Sequence, residues 1–512
     1  MLWVPGCTNI ATGRDSVPER SRRPLGFAPR SSTWPVINLV SLVMTHAIVV
    51  GGSLAGMCAA RVLGDFFDTV TVFDRDRYPD DVAHRTGVPQ SHHAHALLAR
   101  GQRELERLFP GFERTLVERG AHRFDFAQGF AVRRKWGWAP RCRSGLEVLW
   151  ASRPLVESVV RERLRRHGNI ALRERTTVDA LRTERRDRLH VTGVRATPKG
   201  EVPEEIAADL VVDASGRGSK APSWLAALGL PAPEEDVVEA YAGYASRFYR
   251  RPPAARRPAQ WWWDGLWIEG VPPDFPRGGV AFPVEDHRWL VTAVGFCKDY
   301  PPTDEKGFVE FLESLTSPLL AQAIRMCEPL GDIVPNRSTT NRFRHYESWR
   351  GELDGFVAVG DGVCAFNPVY GQGMSTAAVC AATLEKALHT VGLSARELPK
   401  RHFRDQAKFL SGVWNLSAGA DFVWPTTVGT RPLGSRLFQP YFELLGESAH
   451  CDPAVLQRIT PIFHLIDDPN GAASPAVVLA VLGSTLRRRL RQLRAPVPEP
   501  GPVPPSQVAD AV

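Results

Sequence analysis

The run HAIVVGGSLAGMCAARVL, His46 to Leu63, leaves the chain few folds to adopt. An apolar segment ends on two glycines, a stretch rich in Ala follows, and TVTVFDRD comes next, an order that predicts strand, tight turn, helix and strand. Gly51, Ser53 and Gly56 stand at the spacing of GxGxxG, with Ser in the middle place. In that pattern Gly51 permits the turn, the small Ser53 lets backbone approach a pyrophosphate, and Gly56 lets helix and strand pack closely. The start of the helix offers unpaired N–H groups and positive potential. Asp74 ends the second strand, 18 residues beyond Gly56, where a carboxylate accepts hydrogen bonds from the hydroxyls of an adenosine ribose. A glycine pattern alone is a weak signal, but strand, glycines, helix, strand and acid in this order make a strong one.

A second turn of similar build lies in GDGVCAFNPVYGQGMS, residues 360 to 375. It follows the apolar GFVAVG and precedes TAAVCAATLEKAL, so it too reads as strand, Gly-rich turn and helix. Asp361 stands 310 positions after Gly51. Only a long ligand needs both turns.

The rest of the chain sets bounds on that ligand's protein. Its 512 residues suffice for two or three structural units, and 43% hydrophobic with 23% charged residues is ordinary for a globular enzyme. Formal charge is +7, of which residues 1–43 and 487–512 each hold +3, so the body from 44 to 486 carries +1. A near-neutral body argues against a nucleic-acid groove. The eight Cys are scattered without a CxxC pair, which indicates neither a zinc site nor a disulfide scaffold and makes a reducing cytoplasm the expected location. Residues 1–43 lack the basic-then-apolar order of a signal peptide, and VINLVSLVM is too short to span a bilayer. They read as a disordered leader, with the native start at Met44, directly before the first strand.

The patterns predict an α/β fold: a discontinuous, Rossmann-like nucleotide-binding domain over residues 44–220 and 346–395, with IAADLVVDASGRGS as a further strand and turn. Between them, residues 221–345 alternate apolar and polar positions in YASRFYRRPP, WWWDGLWIEG and GGVAFPVEDHRWLVTAVGF, as an inserted antiparallel sheet does. Residues 396–486 read as a helical C-terminal region, and 487–512 as a basic, then Pro-rich, disordered tail. Its LRRRLRQLR reads as a solvated helix end, with at most peripheral membrane contact.

Taken together, the two turns and the acid resemble the para-hydroxybenzoate-hydroxylase-like FAD superfamily. The resemblance implies FAD as the ligand, with the pyrophosphate on the first turn and Asp361 at the ribityl or pyrophosphate end. Pro368 then shapes the second turn, and the helix starting near Gly371, Gln372, Gly373 and Met374 points its N–H groups at flavin N1 and O2. Reduced flavin carries negative charge there, which a helix N-terminus stabilises. RTGVPQ from Arg85 matches the family's Arg-x-Gly-Val segment, whose Arg contacts FAD, and Arg153 in SRP is assigned to the cofactor with it.

The wider set RTGVPQSHHAHALLARG, FPGF, SRP, DASGRGS and WLAALGLPAPEEDVVEAYAGYASRFY is similar to squalene-epoxidase-like bacterial enzymes that epoxidise polyene chains of polyether antibiotics, over most of residues 45–395. This implies an FAD-dependent monooxygenase in which a flavin C4a-(hydro)peroxide passes one oxygen atom from O2 to an alkene of an apolar polyketide or isoprenoid. Electrons would come from NAD(P)H directly or through a separate flavin reductase. No catalytic side chain is assigned, because the flavin carries the chemistry. An aromatic hydroxylase and a flavin-dependent polyprenyl reductase stand as alternatives, and a non-catalytic FAD-binding protein would show no oxygen uptake. A halogenase would need a Lys soon after the second strand; the first Lys of the chain is Lys135. WGWAP at 136–140 resembles the halogenase WxWxIP but is one residue short and lies in another region.

Other side chains have two readings each. His92, His93 and His95 are spaced to chelate a metal, yet no acid or Cys cluster accompanies them, and the resemblance makes them lining near the flavin. Cys58 and Cys364 read as packing residues. Trp261, Trp263 and Trp267 wall a pocket for an apolar substrate or fill the core of a half-buried sheet.

Overall fold

The computed structural model describes residues 44–432, 434–492 and Pro504, so the readings for the leader and for most of the tail fall outside the described residues. The segment Ile48–Val50 is apolar throughout because it belongs to the middle strand of a five-stranded parallel sheet. The order is Phe356–Ala358, Leu210–Asp213, His46–Val50, Thr69–Phe73, Ile170–Arg173. Strands covered on both faces read as unbroken apolar runs, which is why IVV, LVV and FVA look alike in the sequence. Register brings their C-terminal ends level: Val50 lies beside Asp213 and Phe73, and Asp213 beside Ala358. The segments leaving those ends are therefore neighbours in space.

The helix Leu54–Leu63 packs on this sheet with every residue but Ala55 and Arg61 buried. Its small side chains let the long helix Gly373–Val391 come close, and both helices share one core with the sheet. Cys58 and Cys364 are buried in that core, where loss of solvent pushes both thiols up, so packing accounts for them.

A seven-stranded sheet forms the second layer, ordered Glu328–Asn336, Gly243–Arg250, Arg288–Gly295, Arg277–Val284, Gly265–Ile268, Phe130–Arg134, Gly137–Trp138. Two of its strands come from outside residues 221–345, and Phe130–Arg134 pairs in parallel with Gly265–Ile268. Within that interval, Glu235–Glu239 and Asn341–Arg344 instead join a separate sheet with Cys364–Ala365 and Val428–Gly429. Alternation of residue types marks a strand but not its partner.

Alternation also gives the seven-stranded sheet two distinct faces. Ala245, Tyr249, Leu266, Ile268, Ala281 and Trp289 pack beneath the helices Glu305–Glu313 and Leu319–Arg325. Trp261 and Trp263 join this outer core, Trp263 with no exposed surface and stacked on Trp289 at 5.5 Å. This corrects the pocket reading of both residues: they fill space under the helices. Trp267 takes the opposite face, with Phe130, Val132, Val280 and Phe282.

Beyond residue 396 the chain is helical. Glu397–Asp421 lies against the main core through Leu398, Phe403, Leu410, Val413 and Trp414. Ser435–Cys451, Pro453–Phe463 and Pro475–Gln492 share a small core of their own, which includes Leu445, Val455, Ile459 and Val481. Among the described residues no helix is long and apolar enough to cross a membrane.

Candidate functional site

Both glycine turns open at the C-terminal edge of the parallel sheet, where open α/β sheets place ligands. Gly51 has φ +102°, and a side chain there would strike the Ala214 carbonyl at 2.5 Å. Gly52 is covered by Tyr78, whose hydroxyl donates to the Gly52 carbonyl at 3.2 Å. Ser53 stands at the N-cap of Leu54–Leu63 without capping it, and the first turn of that helix holds no acid. Four N–H groups at that end are left for an anion. The Ser53 hydroxyl is engaged elsewhere, donating to Glu157 Oε1 at 2.8 Å and accepting from Arg153 Nη2 at 3.0 Å.

Asp74 and Arg85 meet each other rather than an open site. Asp74 accepts from the Gly52 N–H at 2.9 Å, from the Asp76 N–H at 2.9 Å and from Arg85 Nη1 at 2.8 Å. Arg85 further pairs with Asp76 at 3.2 Å and Glu157 at 3.3 Å, and its guanidinium lies over the Tyr78 ring. In this structure both expected FAD contacts are engaged by protein, Asp74 by the Gly52 N–H and Arg85, and Arg85 by three acids. Three acids share one guanidinium, and together they fix the turn from below. Glu157 was not singled out in the sequence, although its i,i+4 spacing from Arg153 signals the pair. Burial alone would raise the Glu157 carboxyl, but Arg153 and Arg85 with the Ser53 hydroxyl hold it below its ordinary value.

The second turn sits directly against the first. A side chain at Gly360 would lie 2.8 Å from Ala55 Cβ, and one at Gly362 3.5 Å from Asp213 Oδ2. Asp213 is fully buried and accepts from the Ser215 N–H at 3.0 Å and from the Ser215 and Ser219 hydroxyls, which folds DASGRGS into a tight turn. Arg217 from that turn donates to the carbonyls of Thr340 and Phe366 and so straps the second turn down.

Asp361 is partly accessible, and among the described residues no donor reaches its carboxylate. The surrounding protein raises this carboxyl, while Arg217 and Arg153 pull it down. Arg153 thus stands between the two turns, bonded to Ser53 and near Asp361. Gly371 has φ +66°, which shapes the entry to Gly373–Val391. Gln372 precedes that helix without capping it, its Oε1 is buried with no partner, and the first turn holds no acid. Met374 is buried in the core beside it.

Pro368 begins a short turn whose Asn367 side chain accepts from the Val369 N–H at 3.2 Å. Beneath it Asp421, fully buried, accepts from Tyr370 Oη at 2.7 Å, Asn341 Nδ2 at 2.6 Å and Asn367 Nδ2 at 3.2 Å. Burial pushes Asp421 up to about 6 against these three donors. No local sequence signal marks this acid, because its three partners come from two distant segments.

These features fit FAD: two uncapped helix starts, a glycine cradle that a Cβ would fill, an unpartnered buried Gln372 oxygen and a carboxylate awaiting hydroxyl donors. Asp361→Ala is expected to weaken FAD retention by about 1.5–3 kcal/mol, the range for a hydrogen bond to a charged group. Purified protein should then be pale, and a variant as yellow as the parent would remove Asp361 from the site.

The His segment links the turns to the seven-stranded sheet. His93 Nδ1 bonds Ser246 Oγ at 2.8 Å, and the Ala94 N–H donates to Thr292 Oγ1 at 3.1 Å. Burial, with His92 and His84 nearby, pushes His93 down to about 4. Burial and then Arg153 push His95 down to about 3, so both rings are neutral at physiological pH. His92 instead stacks on His84 at 3.7 Å. Among the described residues no three His, Cys, Asp or Glu side chains are grouped to hold a metal. Beside this segment, Phe124, Phe126, Val132, Trp267, Val280 and Phe282 remain only partly buried around Phe130 and Trp150. Val132, Trp267, Val280 and Phe282 lie on the inner face of that sheet, and Phe124 and Phe126 from the neighbouring segment extend it into a partly exposed apolar face.

Residues 44–397 match the family model described as FAD binding domain. Protein Rv3254 of Mycobacterium tuberculosis (strain ATCC 25618 / H37Rv) is 32% identical over 470 residues, which cover 88% of this chain and 95% of that protein. The fold is similar to that of the flavin-dependent brominase Bmp2, with TM-score 0.61 at 15% identity over 87% of this chain and 100% of the other. It is also similar to that of p-nitrophenol 4-monooxygenase PnpA from Pseudomonas putida DLL-E4, with TM-score 0.58 at 18% identity over 82% and 97%. The glycine cradle, the paired turns and the match across both halves of the sheet agree: the chain belongs to the FAD-binding-domain family and is a flavoprotein of the para-hydroxybenzoate-hydroxylase fold.

Proposed function

We propose that this flavoprotein is a monooxygenase that places one oxygen atom from O2 on an apolar substrate, epoxidising an alkene of a polyketide or isoprenoid skeleton as squalene-epoxidase-like enzymes do. The observation that carries the reading is the open apolar face formed by Phe124, Phe126, Val132, Trp267, Val280 and Phe282. A long hydrocarbon chain gains about 25 cal/mol for each Å2 it buries on such a surface. Bound FAD supplies the redox and oxygen chemistry, with electrons from NAD(P)H or a separate reductase.

The chain's residues bind and shield. Ser53 and the start of Leu54–Leu63 take the pyrophosphate, Asp361 accepts from ribityl hydroxyls, and Arg153 balances charge between the turns. The helix from Gly373 presents N–H groups to the flavin, and Met374 packs behind them. Neutral His93 and His95 keep the adjoining wall uncharged, and the sheet excludes water.

Bmp2 is a brominase, but no Lys lies between the second strand and Lys135, which stands apart in an ion pair with Glu443 at 3.1 Å. Direct oxygen transfer suits this chain better than halogen transfer. The reading is tested by titrating an apolar polyene into the holoprotein and following the flavin spectrum. Trp267→Ala should weaken that binding about tenfold, a loss of roughly 1.4 kcal/mol, with FAD content unchanged. Equal affinity in parent and variant would place the substrate elsewhere.

A further inference from the structure

We propose that the outer face of the helix Pro475–Gln492 docks on an anionic lipid surface. This helix is apolar on two opposite sides. Val477, Val481 and Ser484 are buried against the neighbouring helices. On the far side Leu479, Leu482, Leu486 and Leu490 follow one another at spacings of three and four and are 69, 54, 60 and 50% exposed. A folded protein rarely leaves such a stripe to water. The helix packed beside it, Ser435–Cys451, adds Leu437, Phe438 and Phe442, exposed by 78, 48 and 41%.

Charge identifies the occupant. The helix contains no Asp or Glu, and its C-terminal half holds Arg487, Arg488 and Arg489, with Arg491 following. At 100° per residue, Arg489 and Arg487 fall on either side of the leucine stripe, Arg487 paired with Asp452 at 2.8 Å, while Arg488 turns inward to pair with Glu447. Apolar side chains flanked by arginines match a bilayer interface, where leucines enter the acyl boundary and guanidinium groups reach anionic headgroups. A second copy of the same stripe would set arginine against arginine with no acid on this helix to answer it. The helix is too polar to span a bilayer, so it lies on the surface.

The position has a use. His464, at the end of Pro453–Phe463 in the same helical unit, packs edge-on against Phe126 at 4.6 Å, and Phe126 belongs to the open apolar face. A docked helical unit therefore adjoins the surface assigned to an apolar substrate. The docking itself does not depend on which reaction the flavin performs.

The test is cosedimentation of the full-length, FAD-loaded protein with vesicles of phosphatidylcholine alone or of equal parts phosphatidylcholine and phosphatidylglycerol. Binding to the anionic vesicles should be at least about tenfold stronger, because the arginines beside the stripe reach anionic headgroups, and should fall as salt is raised. L479Q/L482Q/L486Q should lose at least about tenfold in binding with flavin content and melting temperature unchanged, and the single charge reversal R489E should lose several-fold. Equal binding to both vesicles, or a triple variant that binds as the parent does, would overturn the proposal. A parent dimer that the triple variant converts to monomer, with vesicle binding unaffected, would assign the stripe to a second copy instead.

Discussion

Replacing Gly56 by Ala is expected to strip the protein of its cofactor and of much of its stability. The added Cβ would sit 1.7 Å from the Gly51 carbonyl oxygen and 2.9 Å from its carbon. Both atoms are backbone of the same turn, so no rotamer change relieves the contact. Ordinary overpacking of a core costs about 1–3 kcal/mol; here strand and helix must separate, and more than about 3 kcal/mol is expected. Flavin per chain should fall below about a tenth of the parent value, with a lower melting temperature, since a loss above 1.4 kcal/mol is a factor of ten. Gly218→Ala is the control, because a side chain there meets nothing within 4 Å. A yellow, stable Gly56→Ala protein would mean that helix and strand do not meet as described.

Removing Glu157 should be nearly as damaging, for an electrostatic reason. Glu157 is 5% exposed, and its carboxylate accepts from Ser53, Arg85 and Arg153. Without it Arg153 loses its acid and Arg85 keeps only Asp74 and Asp76. Breaking a buried ion pair from one side costs about 3–5 kcal/mol, and Glu157→Ala is expected to lose that much in urea denaturation of the apoprotein. FAD should restore part of the loss, because its pyrophosphate is assigned to the turn that holds Ser53. Glu157→Gln, which keeps the shape, should fall between parent and Ala variant. A loss under about 1 kcal/mol, the range for an exposed pair, would show that the network is solvated.

Legibility in the sequence followed the range of each interaction. The first turn was readable because its glycines answer to backbone geometry within a few residues: positive φ at Gly51 and contact of Gly56 with the Gly51 carbonyl. The second turn was readable as a turn, and Asp361 as its acid, from the same local grammar. That Asp74 and Arg85 pair with each other was not readable, since the pairing depends on Tyr78 and Glu157 closing around them. Asp421 was invisible for a stronger reason: it gathers donors from Asn341, Asn367 and Tyr370, none near it in the chain. Among the tryptophans, Trp267 falls on the opposite sheet face from Leu266 and Ile268, a distinction that alternation implies once the strand Gly265–Ile268 is known. Trp261 and Trp263 precede that strand, so no periodicity located them. The added strands Phe130–Arg134 and Gly137–Trp138 were missed because pairing between distant strands leaves no mark in either one.

The central claim is that FAD held by the two turns delivers oxygen directly to an apolar substrate. It is tested most directly by turnover of candidate polyenes under isotopically labelled O2, with a reductant or reductase, followed by mass analysis of the product. One labelled oxygen atom should enter the product, and added chloride or bromide should leave product and rate unchanged. A saturated double bond without label, or a halogen in the product, would contradict the claim.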